Sequence, residues 1–311
     1  MSSSACTSYS ILSSRPIHLF EGVVYTAYGD ESADEKKQRV YAVGGLFGDK
    51  SDWDAFEEKW KRRMGGLVFH ASDCETGKGD FKQFDREQNL KLYADLTKLI
   101  AASRLIGSTV AIDIPAYREL IGPLIDEEPY YLCFHSVVLH LAIRSGACIP
   151  QDRIKFKFDS NLEVIHNASS LYQYIINDKA NKFEYRKLME DELGFTNRND
   201  IGIQAADLVA REGMKLLDNR HSNRPIRLST QTLQACKRIQ FRVFNRGWCE
   251  GFVRRSKDHQ YDTTGYFEWL KENGITHSLS HKIMYEATLP DPLPSSLPSI
   301  TEGPSSTSYD Q

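Results

Sequence analysis

The sequence predicts a mixed α/β fold in which an antiparallel hairpin precedes parallel strands and helices flank the sheet. Residues 23–28 and 40–47 are rich in β-branched and aromatic residues, and a short charged turn, Asp34–Lys37, separates them as in a β-hairpin. After residue 50, helical apolar spacings alternate with short strand-like runs. This order of elements is typical of parallel strands joined by helices.

The remaining elements follow from local patterns. Ser51 is expected to cap a helix that ends at Gly65, and Gly44–Gly45 indicates either a bulge or a close backbone approach. Residues 154–159 alternate apolar and polar side chains as a strand does. The predicted elements after the hairpin are a helix from Ser51, a strand at 67–69, a helix at 86–103, a strand at 105–114, a helix at 129–144, a strand at 154–159, a helix from Asn167 and a helix at 200–217.

The chain of 311 residues is 41% hydrophobic, so it can bury a substantial core. The serine-rich segment 1–20 and the Pro/Ser-rich tail 289–311 are predicted to be flexible, because neither can bury enough apolar area to order itself. Between them we expect one domain at 21–220, followed by a helical, basic extension at 221–288.

Charge and cysteine usage exclude several classes of protein. With 39 basic and 42 acidic residues the net charge is -3, so a nucleic acid would have to be bound by a local patch. The six cysteines show no CxxC pair or Cys/His ligand spacing, which argues against structural zinc and a disulfide framework. No signal-like start and no apolar run of about 18 residues occurs, so we expect a soluble, cytoplasmic protein without a membrane partner.

Carboxylates stand where predicted elements end. Asp30 and Glu31 close the first strand, Asp159 closes a later strand, and Asp207 lies within a helix. Carboxylates brought together repel one another, and magnesium or manganese between them offsets that cost. Such a site can activate water and stabilise the charge of a phosphoryl displacement. The alternative is that Asp30–Glu31 and Asp159 are ordinary turn residues.

Asp207 is the most informative single position. Its helix is dominated by apolar residues, and an unpaired carboxylate buried there would be costly. Gln204, Asp207 and Arg211 share one helical face, which places a polar stripe along the helix. The alternative is a stripe that meets solvent, with Asp207 paired to Arg211 or to a nearby lysine.

Three further polar residues follow or interrupt predicted strands. His70 could be a metal ligand, a general base or a structural histidine, and Asp73 adds to a polar cluster around it. Asp113 lies in a predicted strand as either a fourth carboxylate or an outward-facing residue. His70 is a catalytic candidate for the same site, and Asp73 and Asp113 are auxiliary candidates.

Residues 237–257 interleave arginines and lysines with aromatic residues. This composition occurs in grooves that bind phosphates and stack bases. An amphipathic segment with core aromatics and solvated arginines has the same composition, so both interpretations remain open.

Four segments, YGDES, FHASD, FKFDSN and GIQAADLVARE, resemble the bacterial and archaeal "domain of unknown function 3800" family. They span Tyr28 to Glu212. Asp30–Glu31 corresponds to the early Asp-Glu pair of that family, and Gln204 with Asp207 corresponds to its later Gln-x-x-Asp. The family is similar to ribonuclease H-like folds and is usually presumed to contain nucleases.

The resemblance implies a ribonuclease H-like domain in which Asp30, Asp159 and Asp207 gather around Mg²⁺ or Mn²⁺ and hydrolyse nucleic acid. Glu31 or the loop containing His70 would supply the remaining ligand or proton-handling group. The first-helix glutamate of a typical ribonuclease H is not identifiable, so a standard two-metal arrangement is not implied. The competing hypothesis is an inactive nucleic-acid- or protein-binding module of a defence or mobile-element system.

Overall fold

The computed structural model describes residues 24–123, 128–146, 153–160, 165–177 and 188–258. The predicted flexible segments 1–20 and 289–311 lie outside these residues. In chain order the helices and strands are β1 (Val24–Ala33), β2 (Val40–Gly48), α1 (Lys50–Met64), α2 (Ala71–Thr76), α3 (Arg86–Ala102), β3 (Ile106–Asp113), α4 (Ile114–Ala116), α5 (Pro129–Gly146), β4 (Arg153–Asp159), α6 (Ile165–Asn177), β5 (Gly194–Thr196), α7 (Ile201–His221), α8 (Leu228–Ala235), β6 (Ile239–Phe244) and α9 (Arg246–Asp258).

The strands form one mixed sheet in the order β5-β4-β1-β2-β3-β6. Strands β1, β2 and β3 are antiparallel neighbours, whereas β4 is parallel to β1, β5 to β4 and β6 to β3. The predicted α/β class, with a hairpin and parallel strands in one sheet, is therefore confirmed. This topology brings the carboxyl ends of β1, β3 and β4 to the same edge of the sheet.

Helices cover both faces of the sheet, each over its own apolar core. One core joins α5, α6 and α9 to the sheet and contains Phe134, Phe156 and Phe252. The other core joins α1, α2, α3 and α7 to the opposite face and contains Trp60 and Leu96. Residues 228–258, assigned from sequence to the extension, therefore add two helices and an edge strand to this domain.

Two local predictions were wrong for identifiable reasons. Helix α1 begins one residue before Ser51, because the Asp49 carboxylate accepts the N–H of Asp52 at 2.8 Å and caps the helix. The run 67–69 is not a paired strand. Instead, the N–H of Phe69 donates to Oε1 of Gln204 at 3.1 Å, so a side-chain amide replaces the strand partner.

Helix α7 lies unusually close to the centre of the sheet. Gly44 pairs with Asp30 on β1 and with Thr109 on β3, so it belongs to a regular ladder and not to a bulge. A Cβ atom added to Gly44 would lie 2.4 Å from the backbone nitrogen of Ala210, and one added to Gly213 would lie 2.1 Å from Oγ1 of Thr109. Of the two interpretations of Gly44–Gly45, a close backbone approach is the one the structure shows.

The substitution Gly44→Ala tests this approach. We expect it to lower the free energy of unfolding by roughly 1–3 kcal/mol, because the added methyl group meets helix backbone that cannot rotate away. Urea denaturation measures the change. The matched control is Gly247→Ala in α9, where the nearest atom to an added Cβ is 3.6 Å away. The control should be neutral or stabilising, and an equal loss in both variants would contradict this account.

Candidate functional site

Asp30 lies within β1, three residues before the strand ends at Ala33, on the face covered by α7. The prediction that Asp30 and Glu31 close this strand was wrong, because both residues pair with β2. Alternation along the strand places Asp30 on the same side as Tyr28, which belongs to the core beneath α7. Only 4% of Asp30 is exposed. Its Oδ1 accepts the N–H of Glu31 at 2.7 Å, a hydrogen bond that restricts the orientation of the carboxylate.

Asp207 reaches the same region from α7 and is 5% exposed. Its Oδ2 accepts the N–H of Ala71 at 2.7 Å, which ties it to the first residue of α2. The alternative pairing with Arg211 is wrong, because the Arg211 guanidinium binds Oε2 of Glu75 at 2.7 Å and 3.0 Å. Asp207 is thus a buried carboxylate held by a backbone amide, not a member of a solvent-facing stripe.

The two carboxylates interact strongly through their charges. Burial raises the pKa of Asp30 well above its usual range, and the negative charge of Asp207 is the next largest contribution. The charges of Glu31 and Asp159 raise it further. Burial also raises the pKa of Asp207, although His70 and the Ala71 amide oppose the shift. The arrangement concentrates negative charge in a place from which water is largely excluded.

Asp159 lies beside this pair at the end of β4. The ladder pairs Gly29 with Phe158, so Asp159 is one residue beyond that pair, next to Asp30 along the sheet edge. It is partly exposed, unlike the other two acids. Within the described ranges, no three His, Cys, Asp or Glu side chains form a group that could hold a metal ion. That Asp30, Asp159 and Asp207 share a metal ion stays a prediction.

Glu31 belongs to the opposite face of the sheet. Adjacent strand residues point to opposite sides, and the Glu31 charge raises the pKa values of Tyr41 and Tyr130, after burial the largest contribution in each case. Both tyrosines belong to the core beneath α5. Glu31 thus affects Asp30 from the far side of β1.

His70 lies on the α7 face at the start of α2. Its Nδ1 is 3.0 Å from Oδ2 of Asp73, and its charge lowers the pKa of Asp207. The His70 side chain is 25% exposed. The catalytic candidate His70 and the auxiliary candidate Asp73 are therefore paired with each other, and the charge of His70 acts on the buried Asp207.

Two other candidates have structural roles. Asp113 caps α4 by accepting the N–H of Ala116 at 3.0 Å, and its second oxygen lies 3.5 Å from Nε2 of His221. Its predicted role as a fourth site carboxylate is not supported, because β2 separates β3 from β1. Gln204 fastens α7 to its neighbours by accepting hydrogen bonds from Nε1 of Trp60 at 3.0 Å and from the Phe69 amide.

A buried ionic network links the helices that carry Asp207 and Ala71. Arg211 and Arg227 both bind Glu75, and Arg227 also lies 3.3 Å from Glu212, which is fully buried. The hydroxyl of Tyr93 donates to Glu212 at 2.7 Å. The network joins α2, α3, α7 and the start of α8. Neither Glu212 nor Arg227 was predicted from the sequence. Only Glu212 carries a signal there, because it is a second charged residue directly after Arg211 in an apolar helix.

The aromatic residues of the basic segment 237–257 pack in the core or on one another. Phe244 and Phe252 are 2% and 0% exposed, and Trp248 stacks on Phe244 with ring centroids 3.7 Å apart. Arg246 binds Glu119, and Arg242 binds the ring of His140. Of the two interpretations, an amphipathic segment with core aromatics describes these residues.

Asp30→Asn tests the repulsion between the buried acids. In chelator, we expect this variant to melt at a higher temperature than wild type, by about 2–4 °C for each kcal/mol of relief. Folding raises the pKa of Asp30, so the neutral wild-type carboxyl costs little near pH 4 and its ionisation lowers stability as pH rises. The difference between the proteins should therefore grow from about pH 4 to pH 8. A lower melting temperature for Asp30→Asn across this range would contradict the repulsion, and exposed Asp54→Asn is the matched control.

Comparison of the chain with models of known protein families finds no match. Comparison with curated proteins finds none either. Among the helices that the structure describes, none is both long and apolar enough to cross a membrane.

Proposed function

We propose that the protein is a metal-dependent nuclease that hydrolyses phosphodiester bonds, with a ribonuclease H-like fold as its scaffold. One observation carries the proposal. Asp30 and Asp207, from a strand and a helix far apart in sequence, are both buried, and the charge of Asp207 raises the pKa of Asp30. A site that keeps two acids together in this way is typical of cation binding.

The sheet topology supports the proposed fold. An antiparallel hairpin leads into parallel strands, with acids in β1, at the end of β4 and on a helix that covers the sheet. These are the positions that the resemblance to the "domain of unknown function 3800" family implies for Asp30, Asp159 and Asp207.

The donor set fits Mg²⁺ or Mn²⁺. Both ions prefer hard oxygen ligands, and magnesium is commonly held by one or two carboxylates while water completes its shell. Asp30 and Asp207 would supply those carboxylates, and Asp159 lies close enough to add its charge. The set fits a single ion on two acids better than a closed cage of three protein ligands.

When bound, the ion would supply Lewis-acid stabilisation of the phosphoryl group and acidify a water molecule. The protein contributes position and proton transfer. Asp73 orients His70 through Nδ1, which leaves Nε2 to exchange a proton beside Asp207. His70 is therefore our choice for the proton-handling group in preference to Glu31, which lies on the other face of β1.

An inactive nucleic-acid-binding module is the second candidate. The absence of a closed three-residue metal group among the described residues favours it. The two functions predict different results for one change. When Asp30 or Asp207 becomes asparagine, a binding module keeps its affinity for nucleic acid, whereas a nuclease loses its cleavage activity.

The test is cleavage of single-stranded and double-stranded DNA, RNA and hybrid by the purified protein, with Mg²⁺, with Mn²⁺ and with chelator. We expect cleavage only with metal, and a loss of roughly 10²-fold or more in Asp30→Asn and Asp207→Asn, because each removes a ligand charge. Asp113→Asn is the matched control, since asparagine can still cap α4. It should retain activity. Binding without metal-dependent cleavage would overturn the nuclease and favour the binding module.

A further inference from the structure

A cavity of about 390 Å³ lies between the end of β1, α2 and α7. The three elements that hold Asp30 and Asp207 also form its walls. Ala33 follows Asp30 by three residues, Ser72 follows the amide that binds Asp207, and Lys215 lies about two helical turns beyond Asp207. The cavity therefore opens on the same side of the sheet as the acid pair, with Lys215 about 12 Å along α7 from Asp207.

Most charged groups of the cavity wall are already paired. Asp34 accepts backbone N–H groups, including that of Arg39 at 2.8 Å and that of Val40 at 3.0 Å. The side-chain pairs are Arg39 with Asp218 at 3.1 Å, Arg211 with Glu75 at 2.7 Å and Asp73 with His70 at 3.0 Å. These contacts hold the wall in place and leave few charges for a ligand.

Lys215 is the most notable charge that remains. It is partly buried, and no carboxylate of the described residues lies within ion-pair distance of its ammonium group. Burial, reinforced by the charge of Arg211, lowers the pKa of Lys215, although the charges of Glu75 and Asp218 oppose this shift. Lys78, exposed on the wall opposite, also lacks a carboxylate partner among these residues, whereas Glu35 is an exposed acid at the rim. A partly buried ammonium group without a partner is costly, and a bound anion would offset that cost.

We propose that this cavity binds a backbone phosphate of the nucleic-acid strand, to one side of the phosphodiester that is cleaved at the acid pair. Lys215 pairs with the phosphate from α7, and Lys78 adds charge from the segment after α2. The inference rests on the proposed function, because it identifies the anion as part of that substrate. It assigns Lys215 to substrate binding and thus to the choice of where the strand lies.

Binding is measured in chelator, where no cleavage occurs, with fluorescein-labelled single-stranded DNA and RNA oligonucleotides. For Lys215→Gln we expect roughly three- to tenfold weaker binding. The slope of log K against log salt should become shallower by about 0.7, the value for one lost phosphate contact on a single strand. Lys215→Arg should recover the slope. The exposed helical residue Lys98 supplies the matched control, Lys98→Gln, which should leave affinity and slope unchanged.

A second measurement uses the wild-type protein and does not depend on the folding of a variant. Reductive methylation of Lys215, quantified by mass spectrometry, should slow at least several-fold when an oligonucleotide is bound. Protection by inorganic phosphate but not by the oligonucleotide would overturn the proposal, since the site would then take a free anion. Unchanged methylation with both would also overturn it.

These outcomes separate the two proposals. If Lys215 is protected and Lys215→Gln has the shallower salt slope, but the wild-type protein never cleaves, the phosphate site is supported and the nuclease proposal is wrong. A protein that cleaves with metal, yet shows neither effect at Lys215, would retain the nuclease and lose the phosphate site.

Discussion

The close packing of α7 against the sheet determines the rest of the site. Asp30, Gly44 and Thr109 lie side by side on three adjacent strands, and α7 crosses them with Asp207, Ala210 and Gly213. Three residues of helix rise about 4.5 Å, which nearly equals the spacing of about 4.8 Å between strands. Gly44, Ala210 and Gly213 are small enough for the α7 backbone to pack directly on β2 and β3. The same close packing places Asp207 near Asp30.

This packing creates a cost that other contacts must offset. Two acids in a buried place destabilise the protein when both are ionised. Hydrogen bonds from backbone amides and the charges of His70, Arg198 and Arg211 oppose that effect. The ionic network around Glu75 holds α2 against α7, so the Ala71 amide stays within reach of Asp207. Stability and the proposed chemistry are therefore opposed at this site, as is common where charge is concentrated for a substrate or an ion.

The sequence predicted those features that depend on local patterns. Periodicity located the hairpin and α7, and the apolar surroundings of Asp207 marked it as a carboxylate in need of a partner. The actual partners could not be read from spacing, because Arg211 is the neighbour of Asp207 on the helix but binds Glu75, 136 residues away. The role of Asp113 depended on where α4 begins, which is set by the end of β3. Lys215 continues the polar stripe of α7, yet the cavity beside it exists only in the folded chain.

The central claim is that Asp30 and Asp207 share one divalent cation. Anomalous diffraction from crystals soaked in Mn²⁺ tests it most directly, because the signal locates the ion without reference to activity. The account predicts one peak within about 2.0–2.3 Å of a carboxylate oxygen of each residue, and no such peak in crystals of Asp30→Asn. A fully occupied peak elsewhere, or none at this pair in well-ordered crystals soaked at a saturating concentration, would contradict it.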